Sequence, residues 1–147
     1  MITIKENSMI LEFKKLTKTA KIPQYATKFA PGMDIFADID YPVIISPGEI
    51  VTIGTGVAMR MVRQFGENSG NHFATFLFGC AGMHGHCGIH PANGVDVLDS
   101  DYYSDYREEL CVHLCNVSQH AHTVKPGERI AQLVIMPVSH HPVIEDD

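Results

Sequence analysis

The chain has 147 residues, 45% hydrophobic and 19% charged, proportions ordinary for a globular protein with room for a core. Its formal net charge is −6 with nine histidines counted neutral, and the missing basic excess speaks against a general nucleic-acid binder. No run approaches the roughly 20 apolar residues of a membrane span. The acid-bearing start MITIKENSMILEFKKL lacks the unbroken apolar stretch of a secretory signal, so the expectation is a cytoplasmic protein with no membrane partner.

In chain order, short β-type segments alternate with turn signals, and no long helical periodicity appears. MILEFKKL alternates apolar and polar residues as a half-buried strand does. Three strands are expected over 34–38, 41–45 and 49–53, with Pro47-Gly48 turning between the last two. RQFGENSGNH reads as a polar loop, and FATFLFGCAG as a buried strand running into glycines. ELCVHLCNVS, AHTV, a turn at Lys125-Pro126-Gly127-Glu128 and RIAQLVIMPV close the series. The last run is apolar on both faces, which calls for cover on each side. So many short strands indicate an all-β barrel or sandwich in a single domain over 1–147, with residues 139–147 a short acidic tail.

Cys80, Cys87, Cys111 and Cys115 form no CxxC pair. Free thiols are the default reading in a reducing compartment. CAGMHGHCGIH gathers Cys80, His84, His86, Cys87 and His90, all zinc-competent, at spacings that match no standard zinc pattern. Three readings stay open for this cluster: residues without a chemical role, histidines that bind phosphate (His84 or His86), and a structural metal site.

NGVDVLDSDYYSDYREEL, residues 93–110, packs six carboxylates and three tyrosines between apolar runs. A solvated hairpin tip is the bland account. The functional one is that Val97 and Leu98 deliver Asp99 rigidly from a strand end, as suits a base that must meet a water in fixed geometry.

NGVDVLDSDY resembles the third motif of the trimeric dUTPases (deoxyuridine 5′-triphosphate nucleotidohydrolases). KIPQYATKFAPGMDIFA is similar to the family's first motif, with Pro31 in an alanine position and with Gly32 and Asp34 matching. KPGERIAQLVIMPV resembles the fourth. The pattern can be laid without a gap from Gly82 to Tyr102, and the likeness spans about residues 20–138. It implies a jelly-roll-like β subunit, a homotrimer with sites at subunit interfaces, and Mg²⁺-dependent splitting of dUTP into dUMP and pyrophosphate. Under that resemblance Asp99 is the water-orienting base and Tyr102 packs under the deoxyribose. Asn93, Gly94 and the turn as far as Leu98 read the uracil edge. Gly82 and Gln132 meet phosphate, and Asp34 braces the site from behind. The metal is then held through phosphates and water, with no direct protein ligand.

Three departures stand against this pattern. Cys80-Ala81-Gly82 occupies the place of an arginine-serine-glycine phosphate grip, no glycine-rich fifth motif follows the fourth, and Asp96 replaces a glycine in the base-reading turn beside about four extra residues in YSDYREE. Aligning on SDYREE instead would demote Asp99 and put Tyr103 in the base position; the ungapped run favours Asp99. The expected function is therefore a Mg²⁺-dependent pyrophosphohydrolase of dUTP or a related deoxynucleotide. The alternative is a catalytically weakened dUTPase-like protein that serves as a nucleotide-binding or protein-interaction module.

Overall fold

A computed structural model describes residues 9–63, 71–98 and 108–146. Among the described residues twelve strands and one short helix follow one another: β1 (Met9–Lys15), β2 (Gln24–Tyr25), β3 (Met33–Phe36), β4 (Val43–Ile45), β5 (Ile50–Gly54), β6 (Val57–Arg63), β7 (Asn71–Phe78), α1 (Ala81–Cys87), β8 (Ile89–Pro91), β9 (Asp96–Leu98), β10 (Cys111–Asn116), β11 (His122–Val124) and β12 (Arg129–Ser139). The all-β expectation is met. Residues 140–146 lie outside these elements and are exposed.

The strands form a five-stranded sheet in the order β2-β3-β12-β7-β9, a three-stranded sheet β5-β10-β8, and the pairs β1-β6 and β11-β4. All pairings are antiparallel. Alternation decides what each strand buries. On β10, Val112 and Leu114 face the core with Asn116, while Cys111, His113 and Cys115 take the outer face. On β12, Ile130, Ala131 and Leu133 are buried, and Val134, Ile135 and Met136 are half-buried. Ile35, Ile53, Met59, Leu77, Leu114 and Leu133 meet in the interior.

The expected strands at 34–38, 41–45 and 49–53 form, displaced by one or two residues at their ends. β6 is a strand the periodicity did not signal, because Val57, Ala58 and Met59 are all fully buried and show no alternation. It pairs along β1, where Arg60 Nε donates to Glu12 Oε2 at 3.0 Å.

Two turns are built alike. In Ser46-Pro47-Gly48-Glu49 and Lys125-Pro126-Gly127-Glu128 the last N–H donates to the first carbonyl, at 2.9 and 3.1 Å. Each glutamate then accepts the N–H of the turn's first residue at 2.8 Å. The second turn aims β12 into the centre of the large sheet. Asn116, fully buried at the end of β10, ties the sheets together: its amide donates to the carbonyls of Ile45 and His120, both at 2.8 Å, and its oxygen accepts from the N–H and hydroxyl of Ser118.

Candidate functional site

β3, β12 and β7 lie side by side, and their facing residues build a site. Gln132 sits opposite Asp34 on one neighbour and Phe78 on the other. Directly opposed residues in an antiparallel ladder project to the same face, so Asp34 and Gln132 share one. The Gln132 amide donates to the Gly79 carbonyl at 3.0 Å, which holds β12 against the segment leaving β7. The Asp34 carboxylate accepts from Arg129 Nη1 at 3.4 Å.

Beside Gln132 opens a cleft of about 390 Å³, walled by Phe78 to Ala81 on one side and by His90, Pro91 and Gly94 on the other. The walls sit close: a β-carbon at Gly79 would lie 3.1 Å from Pro91. Cys80 turns inward, 4% exposed, with its thiol 3.7 Å from the Arg129 carbonyl. Ala81 begins α1, and Gly88 ends it with a left-handed cap whose N–H donates to the Met83 carbonyl. At the far rim the turn between β8 and β9 is closed by Gly94 N–H donating to the Pro91 carbonyl at 2.9 Å. The Asn93 amide donates to Asp96 Oδ1 at 3.1 Å. The replacement at 96 is thus engaged within its own turn.

The residues singled out from the sequence divide as follows. Gln132 and Gly94 line the cleft, and Asp34 stands beside Gln132 on the neighbouring strand, on the same face. Asn93 is exposed at the turn and absent from the lining, so any contact it makes with a ligand would come from the open side. The Leu98 side chain is buried at 6% exposure, leaving only its backbone for recognition. Gly82 lies exposed on α1 with open space around it. His86 is exposed on the same helix and does not line the cleft. The side chain of His84, and Asp99 and Tyr102 altogether, lie outside the described residues.

Among the described residues no three His, Cys, Asp or Glu side chains gather as a metal site. All four cysteines are free. On the outer face of β10, His113 Nδ1 lies 2.9 Å from the Thr52 hydroxyl.

Two features escaped sequence reasoning. His90 and Pro91 form a wall because the short β8 pairs with β10, a pairing with no local signature. Arg129 reaches Asp34 because the β3–β12 register shifts between Arg129 and Ala131, and a bulge cannot be read from the alternation of one strand alone.

The family model described as dUTPase matches residues 18–147. The deoxyuridine 5′-triphosphate nucleotidohydrolase of Desulfitobacterium hafniense is 38% identical over 128 residues, covering 87% of this chain and 78% of that protein. That of Idiomarina loihiensis is 40% identical over 124 residues, covering 84% and 75%. Among solved structures, the dUTPase of Streptococcus mutans superposes with a TM-score of 0.65 at 25% identity, covering 91% of this chain and 98% of that one.

Proposed function

The chain belongs to the dUTPase family, and from that membership we propose how its own residues convert dUTP to dUMP and pyrophosphate. The observation that carries the assignment of parts is the register of Asp34, Gln132 and Phe78 across three adjacent strands, beside a cleft bounded by Gly79 to Ala81 and by the Gly94 turn.

In this reading the base lies at the turn, where backbone groups from Asn93 to Leu98 meet the uracil edge. The phosphates run toward Gln132, whose amide is oriented by the Gly79 carbonyl, and Asp34 braces it from the neighbouring strand. Asp99, which follows the last residue of β9, orients the attacking water, and Tyr102 packs under the sugar. β9 gives that water-bearing position its footing: Leu98 is buried and pairs with Thr75, itself fully buried on β7. A base delivered by a strand end keeps its angle to the phosphorus.

Mg²⁺ fits as a partner of the substrate. Asp34 and Gln132 offer oxygens, the hard donors this ion prefers, and the described residues gather no direct cage for it. When bound through the phosphates it offsets their charge. The remaining work of positioning falls to the protein. The same reading includes a homotrimer and a cytoplasmic setting; no helix among the described residues is long and apolar enough to cross a membrane.

One observation favours the weaker alternative, a nucleotide-binding or interaction module. Cys80 points into the core and Ala81 is apolar, so neither replaces the arginine and serine that grip phosphate elsewhere in the family. A pyrophosphate-release assay over all the deoxynucleoside triphosphates with Mg²⁺, run beside Asp99→Asn, decides between them. Turnover of dUTP that vanishes in the variant supports the enzyme. Tight nucleotide binding without turnover in the wild type supports the module.

A further inference from the structure

We infer that Asp96 sets which bases the turn accepts: its carboxylate fixes the Asn93 amide with the oxygen outward, so that cytosine is admitted beside uracil. This rests on the proposed site, in which the turn from Asn93 to Leu98 meets the base. Asp96 opens β9 and lies opposite Leu77 on β7. Directly opposed residues share a face, so Asp96 stands on the side of buried Leu77 and Leu98, while Val97 points the other way and is exposed. Asp96 is half-buried there. Its carboxylate turns back to the tip of its own turn, where Asn93 Nδ2 donates to Asp96 Oδ1 at 3.1 Å. Among the described residues no cation pairs with it, so its charge acts on whatever approaches the turn.

An asparagine amide can sit either way round, and its neighbours choose the orientation. An ionised carboxylate accepts hydrogen bonds and donates none. The reversed amide would set two oxygens against each other, so Asp96 selects one orientation. One N–H of Asn93 is engaged by Asp96, and the amide oxygen is left for a ligand. Asn93 is exposed, on the open side from which a base would arrive. Uracil presents a 4-carbonyl and an N3–H; cytosine presents a 4-amino group and a bare N3. An acceptor backed by negative charge takes the N3–H of the first or the amino group of the second. It repels the 4-carbonyl. With glycine at position 96 the amide is released, and its NH₂ end can turn to that carbonyl.

The test is competition calorimetry with the non-hydrolysable α,β-imido analogues of dUTP and dCTP. Both carry the same triphosphate, so repulsion between Asp96 and phosphate cancels in the ratio of their affinities. The wild type should bind the two within about tenfold of each other. Asp96→Gly should raise the preference for the uracil analogue by about tenfold or more, the contribution of one hydrogen bond. Asp96→Asn should move it the same way, because its amide can offer an oxygen to Asn93 and an NH₂ outward. A ratio that stays within about threefold of wild type overturns the inference, and so does a wild-type preference for uracil above about 100-fold. Equal losses for both analogues give that unmoved ratio and mark a structural role for Asp96. Should the glycine variant not fold, Asp96→Asn decides alone by the same limits. A ratio that shifts as expected, in a protein that binds dUTP without splitting it, sinks the proposed function and leaves the inference standing. Turnover of dUTP with an unmoved ratio does the reverse. A wild type that binds neither analogue ends both.

Discussion

Gly32 and Gln132 touch across the large sheet: a β-carbon at position 32 would lie 2.9 Å from Gln132 Oε1 and 3.1 Å from Val134 Cγ2. The nearest atom is the free end of a flexible side chain, so Gly32→Ala chiefly displaces the Gln132 amide, with Val134 Cγ2 and Gln132 Cβ giving by a few tenths of an ångström. Melting temperature should hold within a few degrees while kcat/KM for dUTP falls about tenfold or more, a range typical when a positioning group moves by about 1 Å. A large drop in melting temperature would show that the sheet had moved instead.

Asp99 carries the rate prediction. Removing a positioned base costs roughly 10²–10⁴ in turnover, so Asp99→Asn should cut pyrophosphate release by that factor, and Asp105→Asn should leave it within a small factor. The opposite pattern would place the family's third motif on the Tyr106-Arg107 ending and discard the present register.

Asn116 predicts stability. Its side chain is fully buried and makes four described hydrogen bonds, the one to the Ile45 carbonyl buried and the other three part-buried. Asn116→Ala takes the side-chain partner from the Ile45 carbonyl and the Ser118 N–H, each costing about 1–3 kcal/mol when left unpaired, while the His120 carbonyl keeps the Ser118 hydroxyl at 2.8 Å. Denaturant unfolding should show a loss of at least about 2 kcal/mol with little change in slope.

The Cys111 thiol is pushed above its usual range, first by burial and then by the Glu109 carboxylate. Because the thiolate is the reactive form, Cys111 should alkylate slowly at neutral pH. Glu109→Gln should speed it, keeping an oxygen for the Gly56 N–H that Glu109 now accepts at 2.7 Å. With the folded thiol the weaker acid, its contribution to stability is fully present below the unfolded thiol's pKa of about 8.5 and is lost as pH rises through the folded value. Unfolding midpoints from pH 7.5 to 10 should fall less in Cys111→Ala than in wild type.

Light scattering checks assembly. A mass near three chains is expected, and a stable monomer would remove the interface sites.

How much of this was legible in the residues depends on how local the determinant is. Both Pro-Gly turns were, because their chemistry lies within four residues, and β10 was, because one face meets the core while the other does not. β6 was hidden by burial on both faces, and β2 by having only two residues. Position 80 could be read as lacking an arginine. That its thiol turns onto the Arg129 carbonyl depends on strands brought together from far apart in the chain, and the phase of Arg129 depends on a bulge in a pairing that only the fold creates.

The two glycines flanking β8 carry unequal freedom to change. Both adopt left-handed backbone, Gly88 at φ +68° and Gly94 at φ +81°. A β-carbon at Gly88 would fall 2.8 Å from Ser118 Cβ and 3.2 Å from the Ser118 backbone nitrogen, while one at Gly94 would meet nothing within 4 Å. Asparagine tolerates this backbone region better than most residues. A side chain at Gly94 therefore meets no neighbour but still strains a left-handed backbone, whereas one at Gly88 meets both obstacles. In a library randomised at Gly94, asparagine and aspartate should be enriched among the folded members and β-branched residues depleted.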